Sequence, residues 1–178
     1  MLGPALFNLD VPEYVNAHRE EWAREGVARR LIWEDSDYVA FLTRGPTPGP
    51  HYHVGPGDEI FYQLEGELQL HCLDGDKQVL VLGPGELFFL PAGRPHSPRR
   101  PEGSWTVVIE RKRLTGEADS FVWFCEHCNH RLHEVALQGG APADSVAGQE
   151  PAFMAAAKAR LRELGACPGC GAAVALGL

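Results

Sequence analysis

Four potential metal ligands, interleaved with glycines at fixed offsets, constrain the fold of this chain more than any other feature. From Gly45 to His96 the spacing reads G-x5-H-x-H-x5-E-x6-G and, 18 residues later, G-x5-P-x-G-x2-H. The segment otherwise alternates like short strands, in which residues two apart face the same way. His51 and His53 therefore share a face. Glu59 and His96 can join them only if the sheet folds over on itself, as in a small barrel.

Short strand-type segments joined by turn residues predict an all-β fold with an N-terminal helix. The helix is expected at 11–25, with Pro12 in its first turn. Hairpin turns are expected at Glu65-Gly66 and Asp74-Gly75. Strands are predicted at 30–33, 37–43, 59–64, 66–73, 77–82, 86–91 and 105–111. Strands this short and evenly spaced are typical of a sandwich or barrel rather than of a parallel α/β sheet.

The character of the chain changes after Arg113, where a polar segment begins. We therefore expect two parts, a barrel at 1–115 that holds the active site and an extension at 116–178. Within the extension, a Gly/Ala/Pro-rich stretch at 138–149 is predicted to be a loop. A helix is predicted at 151–164 because Gly165 is a typical helix stop.

Two Cys-x2-Cys pairs in the extension predict a second metal site. The pairs are Cys125 with Cys128 and Cys167 with Cys170. Four thiolates form a closed tetrahedral shell that suits Fe or Zn in a structural role. Two disulfides or free thiols are the alternative, which a chain without an export signal disfavours. The fifth cysteine, Cys72, is expected in the core.

Charge and hydropathy exclude several classes of partner. The 178-residue chain has a formal net charge of −8 and a pI near 5.4, which argues against binding to nucleic acid or anionic lipid. The sequence has no apolar run near the roughly 18 residues that a membrane span needs. Its N-terminus also lacks the basic and apolar regions of a secretion signal. We therefore expect a cytoplasmic protein with no nucleic-acid or membrane partner.

The spacing of the ligand candidates is similar to both sequence signatures of the cupin family, and it predicts a first-row metal ion. Two His and one Glu with open positions is the ligand set of non-haem Fe(II) oxygenases, whereas three His and one Glu also suits Mn or Ni. Zn is less favoured where no thiolate is present. A cupin barrel that keeps the glycines for its turns and binds no metal is the alternative.

With its flanks included, the chain resembles the bacterial 3-hydroxyanthranilate 3,4-dioxygenases over nearly its whole length. The resemblance is carried by Trp33-Glu-Asp-Ser-Asp37, Tyr52-His53, Phe61-Tyr62-Gln63-Leu64, Arg94-Pro-His96-Ser97-Pro98, Val108-Ile109-Glu110-Arg111 and the cysteine pairs. That family cleaves an aminophenol ring with O2 and Fe(II) on the route from tryptophan to quinolinate and NAD. The resemblance implies a cupin jelly-roll barrel, a rubredoxin-like centre at the four cysteines and a homodimer.

Carried over by position, the resemblance also implies roles for individual residues. The iron ligands would be His53, Glu59 and His96. Arg100 and Glu110 would contact the substrate beside Glu59, with Glu110 as the acid/base carboxylate near the ring hydroxyl. An ion pair between Arg100 and Glu110 on the sheet is the structural alternative.

Three positions depart from the family pattern. Gly49 stands where the family has an Arg that grips the substrate carboxylate, Arg29 where it has an Asn, and His51 where it has an acidic residue. Loss of such a charge-assisted contact costs about 1.5–3 kcal/mol. The substrate carboxylate is therefore absent, sits elsewhere, or is held by Arg29 or Arg44. The alternative for both arginines is a solvated surface residue with no role in binding. His51 becomes a candidate fourth metal ligand.

Three functions compete on this evidence. The main prediction is an Fe(II) ring-cleaving dioxygenase for 3-hydroxyanthranilate or a related aminophenol. The alternatives are a cupin isomerase or lyase that uses all three His and the Glu, and a non-enzymatic cupin that senses a small aromatic. Uptake of O2 with Fe(II) and 3-hydroxyanthranilate separates the first from the others, and turnover without O2 separates the second from the third.

Overall fold

The residues that the structure describes form two antiparallel sheets and two helices. A computed structural model describes residues 8–33, 36–47, 49–137 and 143–174. The elements in chain order are α1 (Val11–Glu25), β1 (Arg29–Trp33), β2 (Tyr38–Arg44), β3 (Tyr52–Val54), β4 (Glu59–Glu65), β5 (Leu68–Asp74), β6 (Asp76–Leu82), β7 (Leu87–Leu90), β8 (His96–Arg99), β9 (Trp105–Arg111), β10 (Ser120–Phe124), β11 (Arg131–Ala136) and α2 (Ala143–Leu164). The predicted all-β class with an N-terminal helix is confirmed.

The two sheets pack against each other around a shared apolar core. The first sheet has the strand order β1-β2-β9-β4-β7, and the second has β11-β10-β3-β8-β5-β6. Phe61 and Val108 of the first sheet meet Leu68, Leu70 and Cys72 of the second in one buried cluster. Cys72 is therefore a core residue, as predicted. The paired antiparallel sheets are the layers expected of a cupin jelly roll.

Helix α1 covers the outer side of the first sheet. Asp10 caps its N-terminus by accepting a hydrogen bond from the Glu13 N–H, and Gly26 ends it in the left-handed conformation. Val15 and Trp22 are fully buried, and they pack against residues of β2 and β9. The prediction of a helix at 11–25 is confirmed.

One of the two predicted hairpins is wrong. The turn at Asp74-Gly75 does join paired strands, because β5 and β6 run antiparallel from Asp74 opposite Asp76. The turn at Glu65-Gly66 instead carries the chain from the first sheet to the second, since β4 pairs with β7 and β9. Turn residues mark where a strand ends, but the partner of the next strand depends on distant segments.

The structure changes the predicted elements of the extension. Helix α2 begins at Ala143, so the loop predicted at 138–149 is wrong from that residue onward. The Gly/Ala/Pro-rich composition of this stretch favours a loop locally, but the helix runs through it and through Pro151. Neither β10 nor β11 was predicted, because each is a short segment directly beside the first cysteine pair.

The extension shares a sheet with the barrel. Strand β10 pairs with β3 on one side and with β11 on the other, within the six-stranded sheet. The division into a barrel at 1–115 and an extension at 116–178 stays a prediction. Residues 138–142 of the expected loop, and residues 1–7, on which the absence of a secretion signal rests, lie outside the described residues. Within the described ranges, neither helix combines the length and hydrophobicity that a transmembrane helix requires.

Candidate metal and substrate site

Three ligand candidates from different strands come together between the two sheets. His53 in β3 lies opposite His96 in β8, within the second sheet, while Glu59 begins β4 of the first. Glu59 Oε1 lies 3.4 Å from His53 Nδ1, and Glu59 Oε2 lies 3.3 Å from His96 Nε2. One nitrogen or oxygen atom from each of the three lies within 4.8 Å of the others, close enough to bind one metal ion.

Glu59 and His96 are buried, His53 is half-buried, and the charges of the three side chains interact. Glu59 is 3% exposed and His96 is 2% exposed. Burial raises the pKa of Glu59, but the charge of His96, its hydrogen bond and the charge of His53 outweigh that effect and lower the pKa to about 2. His96 Nδ1 donates to the carbonyl oxygen of Arg94 at 3.0 Å, which leaves Nε2 directed toward Glu59. The ionised carboxylate and the oriented imidazole are the forms that bind a metal ion.

His53 is held from behind by a carboxylate that the sequence analysis missed. Its Nε2 donates to Asp119 Oδ1 at 2.7 Å, and Arg113 binds the same carboxylate through Nε and Nη2. Asp119 and Arg113 lie in a polar segment without any periodic pattern. Only the pairing of β10 with β3 brings this segment to the site, so no local signal could have identified these residues.

A cavity of about 340 Å³ opens beside the ligand candidates. Its walls combine the two sheets with aromatic and charged side chains. The predicted site residues that line it are Arg29, Arg44, His51, His53, Glu59, His96, Arg100 and Glu110, together with Gly49. The size and the mixture of apolar walls with a few convergent polar groups suit a small aromatic molecule.

Arg100 is a buried cation held by a chain of polar side chains. It is 7% exposed, and its Nε donates to Thr106 Oγ1 at 2.9 Å. The Thr106 hydroxyl donates in turn to Gln63 Oε1 at 2.7 Å. Burial and the charge of Arg29 lower the pKa of Arg100 to about 10, so it remains a cation at neutral pH.

Glu110 lies beside Glu59 on the neighbouring strand of the first sheet, where the two are register partners. Arg113 Nη1 donates to its Oε2 at 2.6 Å, and Arg29 Nη2 lies 3.8 Å from its Oε1. The cations that pair with Glu110 are therefore Arg113 and Arg29, not the Arg100 of the structural alternative.

Arg29 and Arg44 occupy different surroundings along the cavity. The Arg29 guanidinium stacks 3.4 Å from the ring centre of Phe41, on a face that both sheets enclose. Arg44 donates its Nε to the carbonyl oxygen of Gly45 and lies 5.9 Å from the ring centre of Trp105, near helix α1. Both line the cavity, but Arg29 is the one that contacts Glu110.

His51 lines the same cavity without joining the three ligand candidates. Its ring packs against Phe121 and Trp123, with ring centres 5.6 and 5.9 Å apart. Burial, with the charges of His53, Arg99 and Lys158, lowers its pKa to about 4, so the ring is neutral at pH 7. His51 is not among the residues whose ligand atoms cluster in the described part of the chain, and its role as a fourth ligand stays a prediction.

Gly49 and His51 fit each other. The backbone of Gly49 has φ +102°, and a Cβ added there would lie 3.0 Å from His51 Nδ1. A side chain at position 49 therefore requires both a strained backbone and a displaced imidazole. The two departures from the family pattern, Gly49 and His51, are therefore sterically linked.

The four cysteines of the extension also converge. Cys125 Sγ lies 3.6 Å from Cys170 Sγ, and Cys128 Sγ lies 3.6 Å from Cys167 Sγ. All four are free thiols, so the disulfide alternative does not hold in this structure. The cluster sits on the barrel, since Glu126 beside it pairs with Lys77 and Arg99.

Comparison with known proteins identifies the family. The family model described as 3-hydroxyanthranilic acid dioxygenase matches residues 4–145. A 3-hydroxyanthranilate 3,4-dioxygenase from Bacillus thuringiensis (strain Al Hakam) is 42% identical over 121 residues, which cover 67% of this chain and 68% of the relative. One from Jannaschia sp. (strain CCS1) is 36% identical over 160 residues, 89% of this chain and 86% of the relative. Among solved structures, a cupin-2 domain containing protein from Shewanella frigidimarina is similar with 29% identity and a TM-score of 0.42, over 48% of this chain and 80% of its own. The chain therefore belongs to the 3-hydroxyanthranilic acid dioxygenase family, which confirms the predicted enzyme class, a dioxygenase.

Proposed function

We propose that the protein is an Fe(II)-dependent ring-cleaving dioxygenase that uses O2 on 3-hydroxyanthranilate or a related aminophenol. The observation that carries this proposal is the buried cluster of His53, Glu59 and His96 beside a cavity for a small aromatic, in a chain of this family. We assign these three residues as the ligands of the catalytic metal.

The donor set fits ferrous iron. It offers two imidazole nitrogens and one carboxylate oxygen, and the cluster found among the described residues includes no thiolate, which is the set used by non-haem Fe(II) oxygenases. When bound, the ion would supply Lewis-acid chemistry and a common template for O2 and for the adjacent hydroxyl and amine groups of the substrate. Burial of Glu59 and His96 keeps water away from this chemistry.

The chain itself supplies proton transfer and charge stabilisation. Glu110 lines the cavity next to Glu59, so we assign it as the base that accepts the hydroxyl proton when substrate binds. Arg100 is a buried cation in the same wall, and we assign it the stabilisation of negative charge that develops on the reacting groups. Its hydrogen bond to Thr106 fixes its direction before the reaction begins.

Arg29 is the residue that we assign to the substrate carboxylate. It provides a planar cation in the cavity wall, held against Phe41, and position 49 offers no side chain. Arg44 lines the cavity near Trp105 and is the second candidate for this contact. In this assignment, the bound aminophenol is oriented with its carboxylate toward Arg29.

The competing isomerase or lyase is less favoured. That function was predicted to use all three His with the Glu, and His51 lies outside the cluster of the other three. A non-enzymatic sensor would need no proton acceptor in the cavity, whereas Glu110 is positioned there by two cations.

Uptake of O2 tests the proposal. The protein is loaded with Fe(II) under anaerobic conditions and given 3-hydroxyanthranilate, 2-aminophenol and catechol in turn. We expect O2 consumption together with loss of the ring absorbance for at least one aminophenol. Binding of these compounds without O2 consumption would indicate the sensor, and turnover without O2 would indicate the isomerase or lyase.

We further propose that the four cysteines bind one Fe or Zn ion in a structural role, supported by the closed arrangement of four thiols.

The protein is inferred to form a homodimer. Apolar side chains exposed on the outer face of the first sheet support this inference, including Tyr62, Leu87 and Phe89. Light scattering during gel filtration tests the oligomeric state, and a monomer at all concentrations would contradict it.

A further inference from the structure

A continuous chain of charged contacts joins the metal ligand His53 to the proposed base Glu110. His53 Nε2 donates to Asp119 at 2.7 Å. Asp119 accepts from Arg113 Nε at 2.9 Å, and the other arm of the same guanidinium donates to Glu110 at 2.6 Å. One arginine thus holds both the carboxylate behind the ligand and the carboxylate that faces the substrate.

This chain is enclosed by protein. The side chains of Arg113, Asp119 and Glu110 are exposed by less than a tenth. Charge-assisted hydrogen bonds that are shielded from water are stronger and more directional than those on a surface. Arg113 makes three of its hydrogen bonds to Asp119 and a fourth to Glu110, so moving either carboxylate strains the other contact.

The contact also fixes the form of His53. A proton on Nε2 is donated to Asp119, so Nδ1 carries the lone pair that faces Glu59. A carboxylate behind a metal-binding imidazole fixes the ring and raises its basicity. Asp119 comes from the polar segment before β10, and β10 is paired to β3 with Phe121 opposite His53.

We propose that Asp119 and Arg113 are positioning residues, Asp119 for the metal ligand His53 and Arg113 for both His53 and Glu110. This inference rests on the proposed function only in that His53 binds a metal. It predicts that the affinity of the barrel site for a metal ion depends on Asp119, which does not itself reach the ion.

Manganese binding tests the role of Asp119 without any turnover. Mn(II) prefers nitrogen and oxygen ligands to thiolates, so it reports on the barrel site in the full chain. The free ion is counted by electron paramagnetic resonance during titration of the wild type, Asp119→Ala and Asp119→Asn. We expect the dissociation constant to rise about 10- to 100-fold in the Ala variant and by a smaller factor in the Asn variant, which keeps an acceptor for Nε2.

Glu117→Gln is the matched control, because it lies in the same segment and pairs with Arg111 at the surface. Its dissociation constant should stay within about twofold of the wild type. Circular dichroism shows which variants fold. An unchanged Mn(II) affinity in either folded Asp119 variant overturns the proposal, and so does an equal loss in the Glu117 control.

Kinetics test the second half of the proposal. Arg113→Gln releases Glu110, so we expect kcat to fall at least about tenfold at saturating iron while KM changes less. Arg113→Lys keeps a cation for one carboxylate and should recover part of kcat. Loss of kcat in the Gln variant with no recovery by Lys and no change in Mn(II) affinity would overturn the role of Arg113. If the wild type binds Mn(II) but consumes no O2, the proposed function fails while the role of Asp119 is still decided by the titration.

Discussion

Arg29 is one residue at which this cavity departs from the family pattern. It stands in the cavity wall, stacked on Phe41 and 3.8 Å from Glu110, where the resembled family has an Asn. The loop position at which that family has a cation is occupied here by Gly49. The His51 ring lies where a side chain at this position would begin. At the scale of single residues, strand β1 therefore adds one cation, Arg29, to a cavity that Arg44, Arg100 and Arg113 also line, while position 49 offers none.

Replacing Arg29 with Gln should lower kcat/KM selectively for substrates that carry a carboxylate. The lost charge-assisted hydrogen bond is worth about 1.5–3 kcal/mol, or roughly 10- to 100-fold in kcat/KM. We expect this loss with 3-hydroxyanthranilate and little change with 2-aminophenol, which lacks the carboxylate. Arg44→Gln is the companion variant. An equal loss on both substrates in Arg29→Gln would assign Arg29 to Glu110 rather than to the carboxylate.

Replacing Glu59 with Ala should remove one bound metal ion and the reaction together. The variant loses the only carboxylate among the three clustered ligand candidates, so the barrel site should release iron during desalting, while the cysteine site keeps its ion. Elemental analysis of the protein before and after chelation measures this. Glu65→Ala, on the same strand and paired with Arg19 at the surface, is the control. Full O2 consumption by Glu59→Ala would refute the ligand assignment.

At the scale of elements, two loops that cross near the cavity hold its polar wall. Gly45 N–H donates to the carbonyl oxygen of Ser104, and Thr47 N–H donates to that of Arg100, both at 3.0 Å. The chain at 45–47 and the chain at 100–104 are therefore held together. One leads into β3 and the other follows β8, so their contact fixes the rim of the cavity beside the ligands.

The crossing depends on the absence of a side chain at Gly45. A Cβ there would lie 1.8 Å from the carbonyl oxygen of Pro101, which belongs to backbone and cannot move independently. Gly45→Ala should therefore lower the free energy of unfolding by about 1–3 kcal/mol. Gly83→Ala is the control, because its nearest contact would be 3.7 Å away, and it should change stability by less than about 0.5 kcal/mol. Denaturant unfolding measures both, and equal values would show that the loops can separate.

At the scale of the whole molecule, the barrel is completed by a strand from the predicted extension. Strand β10 lies between β3 and β11, and the segment before it provides Asp119 while Phe121 lines the cavity. Ala157 and Leu161 of helix α2 then pack in one buried cluster with Phe121 and Trp123 of β10. The candidate site and the predicted extension therefore pack together.

Truncation tests this unity. A chain that ends at residue 115 should lose Mn(II) binding and cooperative unfolding, because β3 would lack its neighbour β10. A chain that ends at residue 137 keeps β10 and β11 and should still bind Mn(II), with a lower melting temperature because α2 is missing. Near-UV circular dichroism and Mn(II) titration compare the two. Cooperative unfolding and metal binding by the shorter chain would instead support an independent barrel at 1–115.

Much of the fold was predictable because its signals are local. Helix α1 has a capping residue, an early proline and a glycine stop within one segment, and strand β9 was predicted at its observed bounds. The turn at Asp74-Gly75 was correctly predicted to join two paired strands. At Glu65-Gly66 the end of a strand was predicted, but the next strand pairs in the other sheet. The start of helix α2 was missed because the Gly/Ala/Pro-rich composition of 138–149 favours a loop locally.

The sequence by itself determined which side chains could bind metal, because histidine, glutamate and cysteine carry that chemistry wherever they lie. It also determined where most strands begin and end, because glycine, proline and alternating apolar residues act over a few positions. Only the tertiary structure decided that Asp119 supports His53 from 66 residues away, that Arg29 enters the cavity, and that His51 stays outside the ligand cluster. These contacts depend on which strands pair and which sheets pack, and that choice belongs to the whole chain rather than to any segment of it.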